Sequence, residues 1–242
     1  MSPDPDQNPA DLNNREYFSE SWCSLPWSPW VPFTAVKHEF RQIPKEPGLY
    51  RIRPIGKDFL MYLGETGRTL RKRFGELRRH SLAEEFPWND PHTAAQSLWV
   101  WNKAEGYSYE CSAAPLKVLE NERIGWESFL LAKYRQEFGE STLCNFGRFH
   151  KRYWKSTGRK LKNGKPGTKG GKLETDQMDK SAGGPSHSPL HAIGTPGDPN
   201  WMGLSWSGHE TLVPEKTRTV SAGPGLYVLI DTVSLEIIYI DF

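Results

Sequence analysis

Tyr50, Tyr62, Arg73 and Glu127 are the residues of this chain whose types and spacing suit joint chemistry. Two phenols brought together can hydrogen-bond a phosphodiester or a water beside it. A planar guanidinium matches phosphoryl oxygens with its fork of donors. A carboxylate that points inward must be paired or hold a metal, because burying an isolated charge is costly. The triplets Gly48-Leu49-Tyr50 and Tyr62-Leu63-Gly64 set the tyrosines twelve residues apart, and Leu70-Arg71-Lys72-Arg73-Phe74 follows at once. Together they outline a phosphodiester site.

The elements that must position these groups can be read from periodicity. Residues 48–53 and 59–63 are expected as strands joined by a Pro54–Asp58 turn. Alternation sets Tyr50 and Ile52 on one face, and a turn centred on Gly56 would put Tyr50 directly opposite Tyr62. A helix is expected over 69–80, with Leu70, Phe74 and Leu77 as its buried stripe. Arg73 flanks that stripe, and His80 lies two turns on, roughly 10 Å away at the helical rise. Arg71 and Arg78 occupy the other flank. With Arg68, Lys72 and Arg79 they read as a solvated basic face able to hold nucleic-acid backbone. Residues 97–101 are apolar but too short to choose between helix and strand, and 107–112 alternate as a third strand. A second long helix, 121–138, ends before Gly139. Its apolar face carries Leu130, Leu131, Tyr134 and Phe138, with Glu127 one turn earlier. An internal ion pair with an arginine is the competing role for Glu127, and Glu120 is the competing carboxylate. Glu122, Glu137 and Glu140 read as surface acids.

Composition narrows the setting. The 242 residues have a net charge of +2, which says little about partners. Distribution says more: the first 47 residues are acidic, whereas 141–173 hold ten Lys and Arg and no Asp or Glu. With 36% hydrophobic residues and a mean hydropathy of −0.67, much of the chain is expected outside a packed core. Cys23, Cys111 and Cys144 form neither a zinc signature nor a disulfide framework and read as reduced thiols. The polar, acidic N-terminus differs from a secretory signal, and no apolar run reaches the length of a membrane span. A cytoplasmic protein is expected.

An internal repeat divides the chain. Trp22-Cys-Ser-Leu-Pro-Trp27 recurs as Trp201-Met-Gly-Leu-Ser-Trp206, and Pro47-Gly48-Leu49-Tyr50 recurs as Pro224-Gly225-Leu226-Tyr227. Tyr227 and Tyr239 repeat the twelve-residue interval, but no arginine-bearing helix follows. The expected organisation is a disordered tail (1–20), a main domain (21–155) opened by a Trp/Pro lead-in, a basic Gly/Ser/Pro linker (156–200), and a truncated second repeat (201–242).

The order Gly-Leu-Tyr, Tyr-Leu-Gly, helical Arg73, helical Glu127 and late Asn145 resembles the GIY-YIG endonuclease family over residues 47–149. Asn89-Asp90-Pro91-His92-Thr93-Ala94-Ala95 and Tyr134-Arg135-Gln136-Glu137 resemble a bacterial stand-alone branch of it. The resemblance implies an α+β fold, a small three-stranded antiparallel sheet flanked by helices, that hydrolyses DNA with one Mg²⁺ (or Mn²⁺) and no small-molecule cofactor. It implies Tyr50 beside the attacking water, Tyr62 on the phosphate or that water, and Arg73 on the phosphoryl oxygens. Glu127 would hold the metal and Asn145 would brace the metal side. Some members carry a histidine one turn after the arginine, where this chain has Leu77, so His80 and His92 are the substitutes considered. The basic stretch after Asn145, with Arg148, Lys151 and Arg152, would track DNA beside Arg71 and Arg78. A non-catalytic DNA-binding module on the same scaffold is the alternative.

Overall fold

The computed structural model describes residues 15–87, 93–145, 150, 194–217, 223, 225–234 and 236–241. The chain divides into two compact units, Met1–Pro189 and Leu190–Phe242.

The first unit is α+β. Its strands β1 (Val31–Pro32), β2 (Gly48–Pro54), β3 (Tyr62–Thr66) and β4 (Tyr109–Pro115) form an antiparallel sheet in the order β1-β4-β2-β3. Its long helices are α1 (Leu70–Ser81), α2 (Thr93–Glu105) and α3 (Glu120–Phe138). β2 is central and buried at every position. Because its side chains alternate, Tyr50 and Ile52 enter one cluster with Phe33, Phe40, Phe74, Leu77 and Leu98. Leu49 enters another with Leu63, Leu130, Tyr134, Trp22 and Trp27. Helices α1 and α2 cover the first face; α3 and the Trp-rich lead-in cover the second. Layers on both sides explain why Arg51 is also fully buried. It donates to the carbonyls of Tyr17, Phe18 and Ser19 and stacks over Trp27 at 4.3 Å, which ties the lead-in down.

The two triplets owe their glycines to close approaches. A Cβ on Gly48 would lie 2.1 Å from the Ala114 carbonyl oxygen, and one on Gly64 would lie 2.5 Å from the Tyr50 ring. Gly48 lets β4 pair closely, and Gly64 lets Tyr50 lie across β3.

Several sequence expectations change. The sheet has four strands rather than three, because Val31–Pro32 of the lead-in pairs with β4. The β2–β3 register is displaced: Tyr50 faces Gly64, and Ile52 faces Tyr62. The cause is tertiary. Phe59–Met61 do not extend β3, since Leu60 is drawn to the α3 side, its N–H bonded to Tyr134 Oη at 2.9 Å. A two-residue displacement keeps every side chain on its face, so the tyrosines remain neighbours. Residues 97–101 lie in helix α2. Within the expected tail, residues 15–20 are ordered, with Tyr17 and Phe18 in the core; residues 1–14 lie outside the described residues.

In the second unit, the described residues begin at 194, so 156–193 of the expected linker lie outside them; at 194–200, Asp198 accepts from the N–H and hydroxyl of Thr195. Strands β5 (Tyr227–Ile230) and β6 (Ile237–Asp241) repeat the register of β2 and β3: Leu229 faces Tyr239 as Ile52 faces Tyr62. Trp206 Nε1 donates to the Trp201 carbonyl at 2.8 Å, as Trp27 Nε1 does to Trp22 at 3.0 Å. The second residue of each motif is left-handed, with φ of 58° at Met202 and 54° at Cys23. The repeat is therefore conformational as well as textual. Its hairpin is unlike the first in exposure, with both Tyr227 and Tyr239 open to solvent. No helix among the described residues is long and apolar enough to cross a membrane.

Candidate functional site

Helix α1 delivers the guanidinium. Thr69 caps it by accepting from the Lys72 N–H, and Arg78 and Arg79 sit in its last turn, where cations suit the helix dipole. Leu70, Phe74 and Leu77 anchor its face on the sheet, which carries Arg73 into the interior. Arg73 Nε donates to Tyr50 Oη at 3.0 Å, and its Nη1 is buried without a partner among the described residues. Tyr62 stacks on Tyr50 with ring centroids 5.9 Å apart.

Helix α3 delivers the carboxylate. Its terminus is fixed by Gly139, left-handed at φ 95°, and its inner face by Leu130 and Tyr134. Glu127 is half-buried one turn before Leu130, and among the described residues it makes no ion pair. Arg123, four residues before Glu127, instead holds the carboxylate of Glu65 through its Nε.

One cavity of about 370 Å³ gathers Tyr50, Tyr62, Glu65, Thr66, Gly67, Arg68, Arg73 and Glu127. Burial pushes the Glu127 carboxyl up to about 7; the Glu65 charge adds to the rise and Arg73 opposes it. Burial also raises the Tyr50 phenol, although the Arg73 charge and hydrogen bond pull it down. Tyr62 is raised well above the ordinary phenol range, by burial first and then by Tyr50 and Glu127. Both phenols therefore keep their protons at neutral pH. They are hydrogen-bonding groups in the free protein, not standing bases.

The donor set suits a hard divalent cation in one respect. A carboxylate without an ion-pair partner opens on a cavity large enough for coordinated water, and Mg²⁺ commonly takes one or two carboxylates, waters and substrate phosphate. Among the described residues no group of three or more His, Cys, Asp or Glu is placed to hold a metal ion.

The other candidates lie elsewhere. Asn145 clasps the outer edge of β3: its Nδ2 donates to the Leu63 carbonyl at 2.8 Å, and its Oδ1 accepts from the Leu63 N–H at 3.0 Å and from Thr142 Oγ1 at 2.6 Å. It braces the strand that carries Tyr62 and does not line the cavity. His80 is also outside the lining and contacts the Arg79 guanidinium at 3.3 Å. Arg71 is not a solvated cation, since it donates to the carbonyls of Ile43 and Arg41. Arg78 donates to the Ala35 carbonyl and stacks over Phe40 at 4.7 Å. Both brace the lead-in through carbonyls that lie outside β1. Glu120 is exposed at the start of α3, and Glu137, expected on the surface, accepts from Trp22 Nε1 at 3.0 Å. Arg148, Lys151, Arg152 and His92 lie outside the described residues.

Sequence reasoning missed Glu65 and Arg123 and left Arg68 to the solvated face. Two signals were present: Glu65 directly follows Tyr62-Leu63-Gly64, and Arg123 precedes Glu127 by four residues, on the same helix face. Arg68 makes a two-bond contact with Glu76 at 3.0 and 2.8 Å at the cavity rim. Compared with protein-family models, with curated proteins and with solved structures, the chain matches none.

Proposed function

We propose that this chain is a divalent-metal-dependent DNA endonuclease of the kind the GIY-YIG resemblance implies, with β4, β2 and β3 standing for that family's three-stranded core. The observation that carries the reading is the meeting of Tyr50, Tyr62, Arg73 and Glu127 around one cavity. Hydrolysis of a phosphodiester accumulates negative charge on the phosphoryl oxygens and on the leaving oxygen, and it needs a water held in line. Arg73 is the group for the phosphoryl oxygens. Its Nε is engaged by Tyr50, which fixes the plane of the guanidinium before substrate arrives. A protonated Tyr50 orients the attacking water through its hydroxyl rather than deprotonating it from rest. Tyr62, stacked on Tyr50 but less enclosed, hydrogen-bonds the phosphate. Glu127 would hold Mg²⁺ or Mn²⁺, which supplies Lewis-acid stabilisation of the leaving oxygen when bound. Asn145 keeps β3, and with it Tyr62, in place. The basic stretch containing Arg148, Lys151 and Arg152 is assigned to the DNA backbone on charge alone.

The test is cleavage of supercoiled plasmid and of a defined duplex with Mg²⁺ or Mn²⁺. Cutting by the natural chain, and a fall of about 10²-fold or more in Arg73→Ala and Glu127→Ala, is expected. Salt-sensitive DNA binding with no cutting under any divalent metal would favour a non-catalytic module instead. Cutting that survives both substitutions would refute the assignment.

A further inference from the structure

Around the cavity, Glu65 and Arg123 form a pair that the proposed chemistry does not use. Arg123 is 6% exposed, on the first turn of α3 and one turn before Glu127. Its Nε binds Glu65 and its Nη1 donates to the Val118 carbonyl at 3.2 Å. The chain makes room for it: a Cβ on Gly67 would stand 2.8 Å from Arg123 Nη2. One guanidinium therefore joins β3, the Gly67 loop and the start of α3. Glu65 lines the same cavity as Glu127, so without Arg123 two carboxylates without ion-pair partners would face it. Arg73 and Arg68 are the cations of the lining itself; Arg68 is paired with Glu76, and Arg73 donates through Nε to Tyr50.

We propose that Glu65 and Arg123 are a charge-balancing pair that sets how strongly the Glu127 site draws a divalent cation, with neither residue ligating it. The proposal rests on the reading of Glu127 as the metal carboxylate. Removing Arg123 alone leaves an extra negative charge beside the site, and removing the Glu65 charge alone leaves an extra positive one. A unit charge at this range, screened by water and salt, changes divalent-cation affinity by about three- to five-fold.

The experiment measures Mn²⁺ binding to the full chain by electron paramagnetic resonance at pH 8, with a thermal melt of each variant. Arg123→Met should bind about three- to five-fold tighter than the natural chain, and Glu65→Gln weaker by a similar factor. The double variant should return to within about two-fold. Arg123→Gln, which removes the charge but can still donate to Glu65, should also bind tighter and covers the case in which Arg123→Met does not fold. Weaker binding in all variants would overturn the proposal in favour of a purely structural pair. Equal weakness of Glu65→Gln and the double variant, with Arg123→Met unchanged, would overturn it in favour of Glu65 as a ligand. If the natural chain and Glu127→Gln bind Mn²⁺ alike, the metal reading of Glu127 itself falls, and the proposal with it.

Discussion

Replacing Glu127 by glutamine should stabilise the protein at pH 8 and not at pH 5. The carboxyl is pushed up to about 7, against an ordinary value of 4.5. Its folded pKa is above its unfolded pKa, so the folded state binds the proton more tightly. Below about pH 4.5 the group is neutral in both states and costs nothing. Between about 4.5 and 7 stability is lost as pH rises, and above 7 the whole penalty of holding the charge half-buried is present. A displacement of that size corresponds to about 3 kcal/mol for an enclosed group, and to about 2 kcal/mol once contact with solvent is allowed for. For a domain of this size that is a rise in Tm of roughly 5–8 °C for Glu127→Gln at pH 8. Mg²⁺ should recover the same stability in the natural chain, because a bound cation offsets the charge, and it should do little for the variant. Scanning calorimetry at pH 5, 6.5 and 8, with and without Mg²⁺, measures all of this. If Glu127→Gln lowers Tm equally at the three values, Glu127 is a structural hydrogen-bonding residue and the penalty assigned to its charge is wrong.

Four further outcomes separate positioning from chemistry. Gly64→Ala puts a methyl against the Tyr50 and Tyr62 rings; it should cost about 1–3 kcal/mol in chemical denaturation and lower cleavage by moving Tyr50 off Arg73. Gly48→Ala meets the Ala114 backbone instead and should cost more, since β4 cannot yield as a side chain can. Asn145→Leu leaves buried Leu63 groups unbonded and should cost about 2–4 kcal/mol, while cleavage per folded molecule at low temperature stays within a few-fold of the natural chain. His80→Ala should change cleavage by less than about three-fold, because two turns of helix set it roughly 10 Å from Arg73.

What the sequence made legible was local. The Leu70, Phe74 and Leu77 stripe, the Gly139 stop and the alternation of β2 depend on neighbours a few residues away, so periodicity reports them. The β2–β3 register does not, because it is decided by Tyr134, seventy-four residues on, holding the Leu60 N–H. Strand β1 is two residues long and offers no period to read. Arg71 and Arg78 have the spacing of a solvated face, yet they serve carbonyls of a lead-in whose path no local pattern gives. At the site, the inward face of Glu127 followed from its place on α3. That Arg123 would bind Glu65, and leave Glu127 without an ion pair among the described residues, depended on β3 and α3 meeting in space.

The central claim is geometric, and a crystal structure with Mn²⁺ and a non-cleavable duplex tests it most directly. The expected anomalous peak lies within about 2.2 Å of a Glu127 oxygen and of a phosphate oxygen, with the Arg73 guanidinium on that same phosphate. Manganese bound away from Glu127, or a phosphate that reaches neither Arg73 nor the two phenols, would contradict it.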